Sequence, residues 1–177
     1  MVAIMMLAAA LAAQNPPGTH VRTMQWEIAA FIEAGRARSA TFRRLIATLD
    51  SSDVIVHVEP KLTRPGLGGF LNYAVVAVGR YRYLRIAIDI RGPNSHVVPL
   101  LAHELQHAIE IADAPEARDA QGVEDVFRRL NGITGRGDSP YSLETEAAID
   151  IERAVRREFL ASSERATSGH RSSLEPS

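Results

Sequence analysis

Five consecutive residues, His103-Glu104-Leu105-Gln106-His107, carry the strongest chemical signal in the sequence. On a helix, positions i and i+4 share one face, so both imidazoles can reach the same metal ion. Zinc held by such ligands lowers the pKa of a bound water to about 7, and a neighbouring carboxylate can accept its proton. Glu104 lies about 100° around the helix from His103, beside the ion rather than on it. The spacing therefore predicts a zinc site with Glu104 as the general base of a hydrolase.

The segment around this motif is strongly apolar, which predicts a buried helix over about 96–112. Its apolar residues are Val97, Val98, Leu100, Leu101, Leu105, Ile109 and Ile111. Two histidines and a glutamate in a buried helix need partners, because burying unpaired polar groups is costly. The competing interpretation is a pair of histidines satisfied only by hydrogen bonds.

A catalytic zinc site also needs a third protein ligand and an open fourth position. The chain contains no cysteine, so that ligand must be His, Asp or Glu. Asp113 stands where metzincin-type sites have their third ligand, but Glu110 replaces the glycine that turns the chain there. We therefore expect Glu110 and Asp113 to be surface carboxylates at the end of the helix, and Asp113 remains an alternative third ligand.

A later segment, predicted as a helix over about 142–160, offers two other carboxylates. Its apolar face is formed by Ala147, Ala148, Ile151, Val155 and Phe159. Glu144 falls on that face, whereas Glu146 groups with the polar residues, so the pattern favours Glu144 as the third zinc ligand. Glu146 remains an alternative, because its spacing to Asp150 resembles thermolysin, in which the aspartate orients a ligating histidine.

The two segments together resemble the gluzincin clan of zinc metallopeptidases. The residues that carry the resemblance are His103-Glu-Leu-Gln-His107 and Glu144-Thr-Glu-Ala147. The chain from about 39 to 158 also resembles small, uncharacterised bacterial proteins of exported type with an H-E-L-Q-H motif. The resemblance implies Zn²⁺ as cofactor, a peptide or protein as substrate, and hydrolysis with Glu104 as general base.

The same resemblance implies a His or Tyr that steadies the oxyanion and a strand that aligns the substrate. The candidates for the first role are Tyr141, His96 and His57, and the sequence does not choose among them. The strand at 71–78 or the one at 81–90 is the candidate for the second, by β-strand addition. The alternative function is a non-catalytic binding or regulatory protein with a structural zinc site, since a short chain leaves little room for a deep cleft.

Length and composition indicate one globular domain. The chain has 177 residues, 46% of them hydrophobic and 23% charged. The net charge of −1 does not favour a nucleic-acid partner. Residues 1–13 form an uncharged apolar run that is too short to span a membrane and ends in small residues, so 1–14 is predicted to be a secretory signal. We expect export, a domain over 19–161 and a disordered tail over 162–177; without a signal the protein would be cytoplasmic.

The periodicity predicts an α+β fold, with a small antiparallel sheet of about three strands beside a helical core. Helices are expected at 25–34 (ending near Gly35), 40–49 (capped by Ser39), 96–112, 117–130 and 142–160, and strands at 53–59, 71–78 and 81–90. Four arginines, Arg80, Arg82, Arg85 and Arg91, accompany the last strand. They are expected to be solvated charges on the strand faces.

Overall fold

The structure, a computed structural model, describes residues 18–61, 69–134 and 144–172. Within those ranges the elements are β1 (Val21–Arg22), α1 (Trp26–Arg38), α2 (Ala40–Asp50), β2 (Val54–Pro60), β3 (Gly69–Val78), β4 (Tyr81–Ile88), α3 (Asn94–Ala112), α4 (Ala120–Thr134) and α5 (Glu146–Ser172). The predicted α+β class is confirmed. The predicted cap of α2 is confirmed as well, because the Ser39 hydroxyl accepts a hydrogen bond from the Phe42 N–H at 2.9 Å.

The four strands found in the described ranges form one mixed sheet in the order β1-β2-β4-β3. The expectation of a purely antiparallel sheet was wrong: β2 runs parallel to both β1 and β4, and only β3 and β4 are antiparallel. After β2 the chain first forms β3 at the edge of the sheet. It then turns at Gly79, whose φ is +58°, and returns as β4 between β2 and β3. β1 has only two residues, too few to show the alternating pattern that identifies a strand in a sequence.

Helix α3 lies at the centre of the helical layer. It contacts β2, β3 and β4 on one side and the other four helices elsewhere on its surface. Its apolar residues join one continuous core with the inward-facing residues of the sheet, among them Val56, Leu84 and Ile86. The predicted burial of the helix that carries the histidines is therefore confirmed, with Leu101 and Leu105 fully buried.

Arg82 corrects the prediction that the β4 arginines are solvated. Its side chain is fully buried and forms a bidentate ion pair with Asp53 at 2.7 and 2.8 Å. It also donates hydrogen bonds to main-chain carbonyls at and beyond the end of α3, those of Ile111, Ala112, Ala114 and Ala117. The last carbonyls of a helix lack partners within it and favour a cation, so Arg82 fixes the end of α3 to the sheet.

Gly35 lies inside α1 and does not end it, contrary to the sequence prediction. A Cβ at this position would stand 2.8 Å from ring carbons of Phe42, which is fully buried. The glycine therefore lets α1 and α2 approach closely.

We expect Gly35→Ala to lower the free energy of unfolding by about 1–3 kcal/mol, because overpacking costs more than alanine gains in helix propensity. Urea denaturation measures the change. A variant as stable as the wild type, or more stable, would contradict the close contact with Phe42.

Helix α5 begins later and ends later than expected. It starts at Glu146 rather than near Ser142, and it continues past Leu160 to Ser172. The extension, residues 161–172, contains four Ser, two Ala, two Arg and one Glu, and it has no apolar face. The predicted signal segment 1–14 lies outside the described residues, as do 173–177 of the predicted tail. Among the helices that the structure describes, none has the length and apolarity needed to span a bilayer.

Candidate metal centre

His103, Glu104 and His107 lie on α3 with little solvent exposure, at 5%, 5% and 1% respectively. The two Nε2 atoms are 3.1 Å apart. Two nitrogen ligands on one tetrahedral zinc, at bonds of about 2.05 Å, are separated by about 3.3 Å. The separation of the two Nε2 atoms is therefore close to the one that a shared zinc ion requires.

The other nitrogen of each ring faces a carboxylate. Nδ1 of His107 lies 2.8 Å from Glu110 Oε2, and Nδ1 of His103 lies 3.4 Å from Glu152 Oε2. The second contact is too poorly aligned for a hydrogen bond, and the buried His103 Nδ1 has no hydrogen-bond partner in the described residues. Because an ionised carboxylate only accepts hydrogen bonds, the contact with Glu110 favours His107 as the Nδ1–H tautomer, whose Nε2 carries a lone pair. That lone pair can accept a hydrogen bond from His103 Nε2 or bind a cation.

The surrounding charges also favour a cation. Burial lowers the pKa of His103, but Glu152, Glu104 and Glu144 together raise it above the ordinary value. The contact with His103, helped by Arg156, lowers the pKa of Glu152 to about 2 despite partial burial. Glu152 therefore stays ionised beside the imidazole, and a carboxylate next to the non-coordinating nitrogen is common around metal-ligating histidines.

Glu104 lies where the start of β3 meets α3. Burial raises its pKa, although the two histidines and a hydrogen bond from the Leu71 backbone act in the opposite direction. A Cβ on Gly69 would stand 3.3 Å from Glu104 Oε1. The first residues of the outer strand therefore lie against the predicted general base.

Glu144 is the predicted third ligand that the structure brings to the histidines. Its Oε1 lies 3.7 Å from His103 Nε2, and 58% of its side chain is exposed. It precedes α5, so the helical face used to predict it does not exist at that position. Glu146 is the exposed first residue of α5, and Asp113 is exposed at the end of α3. Asp113 also lies about 120° around the helix axis from His107, away from the histidine face.

The donor set fits zinc in its chemistry. Two imidazoles and one carboxylate are the ligands of gluzincin-type sites, and they leave a fourth position open. Within the described ranges, however, no group of three or more His, Asp or Glu side chains has the arrangement of a complete metal cluster. The two Nε2 atoms lie 3.1 Å apart, and Glu144 Oε1 lies 3.7 Å from that of His103.

The three oxyanion candidates have different outcomes. Tyr141 lies outside the described residues. His57 pairs with Arg85 across β2 and β4, on the sheet face opposite Leu84 and Ile86 and therefore away from α3. His96 is exposed, two helical turns before His103. Neither His57 nor His96 is placed beside the Nε2 atoms of His103 and His107.

Three residues of the site were missed from the sequence. Glu110, expected on the surface, is 9% exposed and bound to His107. Its position three residues after His107 on one helix was a usable signal. Thr145 and Glu152 contact the site only because α5 packs against α3. The sequence spacing within α5 does not predict that packing.

Comparisons of the chain with protein-family models, with curated proteins and with solved structures found no match. The function of the site is therefore inferred from its own side chains.

Proposed function

We propose that the protein is a zinc-dependent hydrolase of the gluzincin type that cleaves peptide bonds. His103, His107 and Glu144 would hold Zn²⁺, and Glu104 would act as the general base. The main support is the pair of buried imidazoles whose Nε2 atoms stand 3.1 Å apart. Their Nδ1 atoms both face carboxylates, an arrangement typical of metal-ligating histidines.

The proposed role of Glu104 follows from its surroundings. Bound zinc would supply Lewis acidity and a water of lowered pKa. The Glu104 carboxylate is buried, is held by the Leu71 backbone and has a raised pKa, so it is a stronger base than an exposed glutamate. It lies about 100° around the helix from His103, beside the histidine face, and would take a proton from a water held there.

A peptide substrate is favoured by the position of β3. In the described residues β3 pairs with one strand, β4, so no strand is hydrogen-bonded to its outer edge. Its first residues lie against Glu104, and its later residues Val76 and Val78 are exposed. An extended peptide can add to such an edge through main-chain hydrogen bonds. The other strand considered from the sequence, β4, lies between β2 and β3 and offers no free edge.

Metal removal tests the proposal. Protein stripped of metal by a chelator is expected to lose hydrolysis of a mixed peptide library, and added Zn²⁺ is expected to restore it. His107→Ala should not be restored, because it lacks a ligand. His57→Ala, on the far side of the sheet, is the matched control and should behave like the wild type.

Two results would contradict the proposed zinc-dependent hydrolase activity. Wild-type protein that binds zinc but cleaves nothing in the library would support the alternative of a structural zinc site. Hydrolysis that persists unchanged in the stripped protein would show that the activity does not depend on a metal.

A further inference from the structure

We infer that Glu110 and the Thr145 hydroxyl form a positioning pair that fixes the tautomer and orientation of His107 and joins the Glu144 segment to α3. This inference rests on the proposed zinc site and extends it to the groups behind the ligands. The pair acts through His107 and would touch neither metal nor substrate.

Each oxygen of the Glu110 carboxylate has a hydrogen-bond partner. Oε2 faces His107 Nδ1 at 2.8 Å, and Oε1 accepts a hydrogen bond of 2.6 Å from the Thr145 hydroxyl. The Glu110 side chain is 9% exposed and Thr145 is 5% exposed. With both oxygens engaged the carboxylate cannot rotate freely, so it holds His107 as the Nδ1–H tautomer with Nε2 free for a metal.

The charge of Glu110 needs a cation near it. A neutral His107 donates a hydrogen bond to it but does not balance its charge, and no Lys or Arg in the described ranges forms an ion pair with it. A buried carboxylate is costly unless its charge is balanced. A metal on the opposite nitrogen of His107 would balance it, and the carboxylate would in turn make the imidazole a stronger ligand.

Thr145 connects this carboxylate to the third ligand. Its hydroxyl also accepts a hydrogen bond from the Ala148 N–H at 3.2 Å, which caps α5. Glu144 is the preceding residue. One hydroxyl therefore fixes the first turn of α5, the Glu110 carboxylate and the segment that carries Glu144. Loss of that hydroxyl should loosen two of the three ligands together.

Metal affinity tests the pair directly. The full-length chain and the variants Glu110→Ala, Thr145→Val and Thr145→Ser are titrated with Zn²⁺ against a chromophoric chelator, and with Co²⁺ by visible absorption. Glu110→Ala is expected to weaken Zn²⁺ binding about 10–100-fold, as loss of an outer partner does. Thr145→Val should also weaken it, whereas Thr145→Ser, which keeps the hydroxyl, should bind within about twofold of the wild type. The Co²⁺ spectrum should change in the two weakened variants.

A control separates positioning from simple loss of a helix cap. Ser39→Ala removes the cap of α2, away from the site, and should leave Zn²⁺ affinity unchanged. In the double variant Glu110→Ala/Thr145→Val, the loss should be smaller than the product of the single losses, because both act through His107.

Unchanged affinity in Glu110→Ala, with tight binding in the wild type, would overturn the positioning pair and leave the proposed function standing. The positioning pair would also be overturned if the fold-loss of Zn²⁺ affinity in the double variant equalled the product of the two single losses. Wild-type protein that binds no Zn²⁺ would instead overturn the proposed function itself.

Discussion

Glu104→Gln is expected to lower kcat/KM for peptide hydrolysis by about 10²–10⁴-fold while the protein still binds zinc, because a positioned general base typically contributes that factor. Glutamine has nearly the same shape and can still accept the hydrogen bond from the Leu71 backbone. It cannot take up a proton. Steady-state kinetics on a cleaved peptide, together with Zn²⁺ titration, measures both properties on the same protein.

The control is Glu33→Gln, the same chemical change at a 69% exposed position on α1. It should leave both the rate and the zinc affinity unchanged. A Glu104→Gln variant that keeps the wild-type rate would remove Glu104 from the mechanism. A variant that loses zinc as well as activity would indicate a structural role for the carboxylate in the metal site.

Arg82→Met is expected to lower the free energy of unfolding by about 3–5 kcal/mol, a large fraction of the stability of a domain of this size. The substitution leaves the Asp53 carboxylate without its bidentate partner and the carbonyls at the end of α3 without their donor. Buried acceptors left unsatisfied cost about 1–3 kcal/mol each. Urea denaturation measures the loss, and zinc binding should fall with it if the end of α3 shifts.

Arg85→Met is the matched control, since Arg85 is exposed on the same strand. It should change stability by no more than about 0.5 kcal/mol.

Arg82 also lowers the pKa of Asp53 below its ordinary value of 3.8. The pair therefore stabilises the fold above pH 3.8, and this contribution is lost as the pH falls below it. Arg82→Met should have a weaker acid dependence; equal stability of the Arg82 and Arg85 variants would contradict the account.

The sequence predicted best what depends on local pattern. The apolar run around His103 predicted a buried α3, and Ser39 predicted the start of α2. The long-range pairing was not predictable in this way. Parallel pairing of β2 with β4 depends on where the chain crosses after Pro60, and two-residue β1 has no pattern of its own.

In the candidate site too, local spacing was predictable from the sequence and long-range packing was not. Helical spacing alone placed His103, Glu104 and His107 together, as observed. Glu144 was chosen from a helical face that does not extend to it, and it lies near His103 because the chain approaches α5 there. Glu110 and Glu152 were missed because charged residues are usually exposed, and Glu152 has its partner only because α5 packs against α3.

Zinc stoichiometry and affinity of the purified chain test the central claim most directly. The wild type is expected to bind about one Zn²⁺ per chain, and Glu144→Ala is expected to weaken that binding at least about hundredfold, more than loss of an outer-shell partner does. Glu146→Ala, two residues away at an exposed position, should bind Zn²⁺ within about twofold of the wild type. A wild type that binds no zinc, or a Glu144→Ala variant that binds it as tightly as the wild type, would contradict the site of His103, His107 and Glu144.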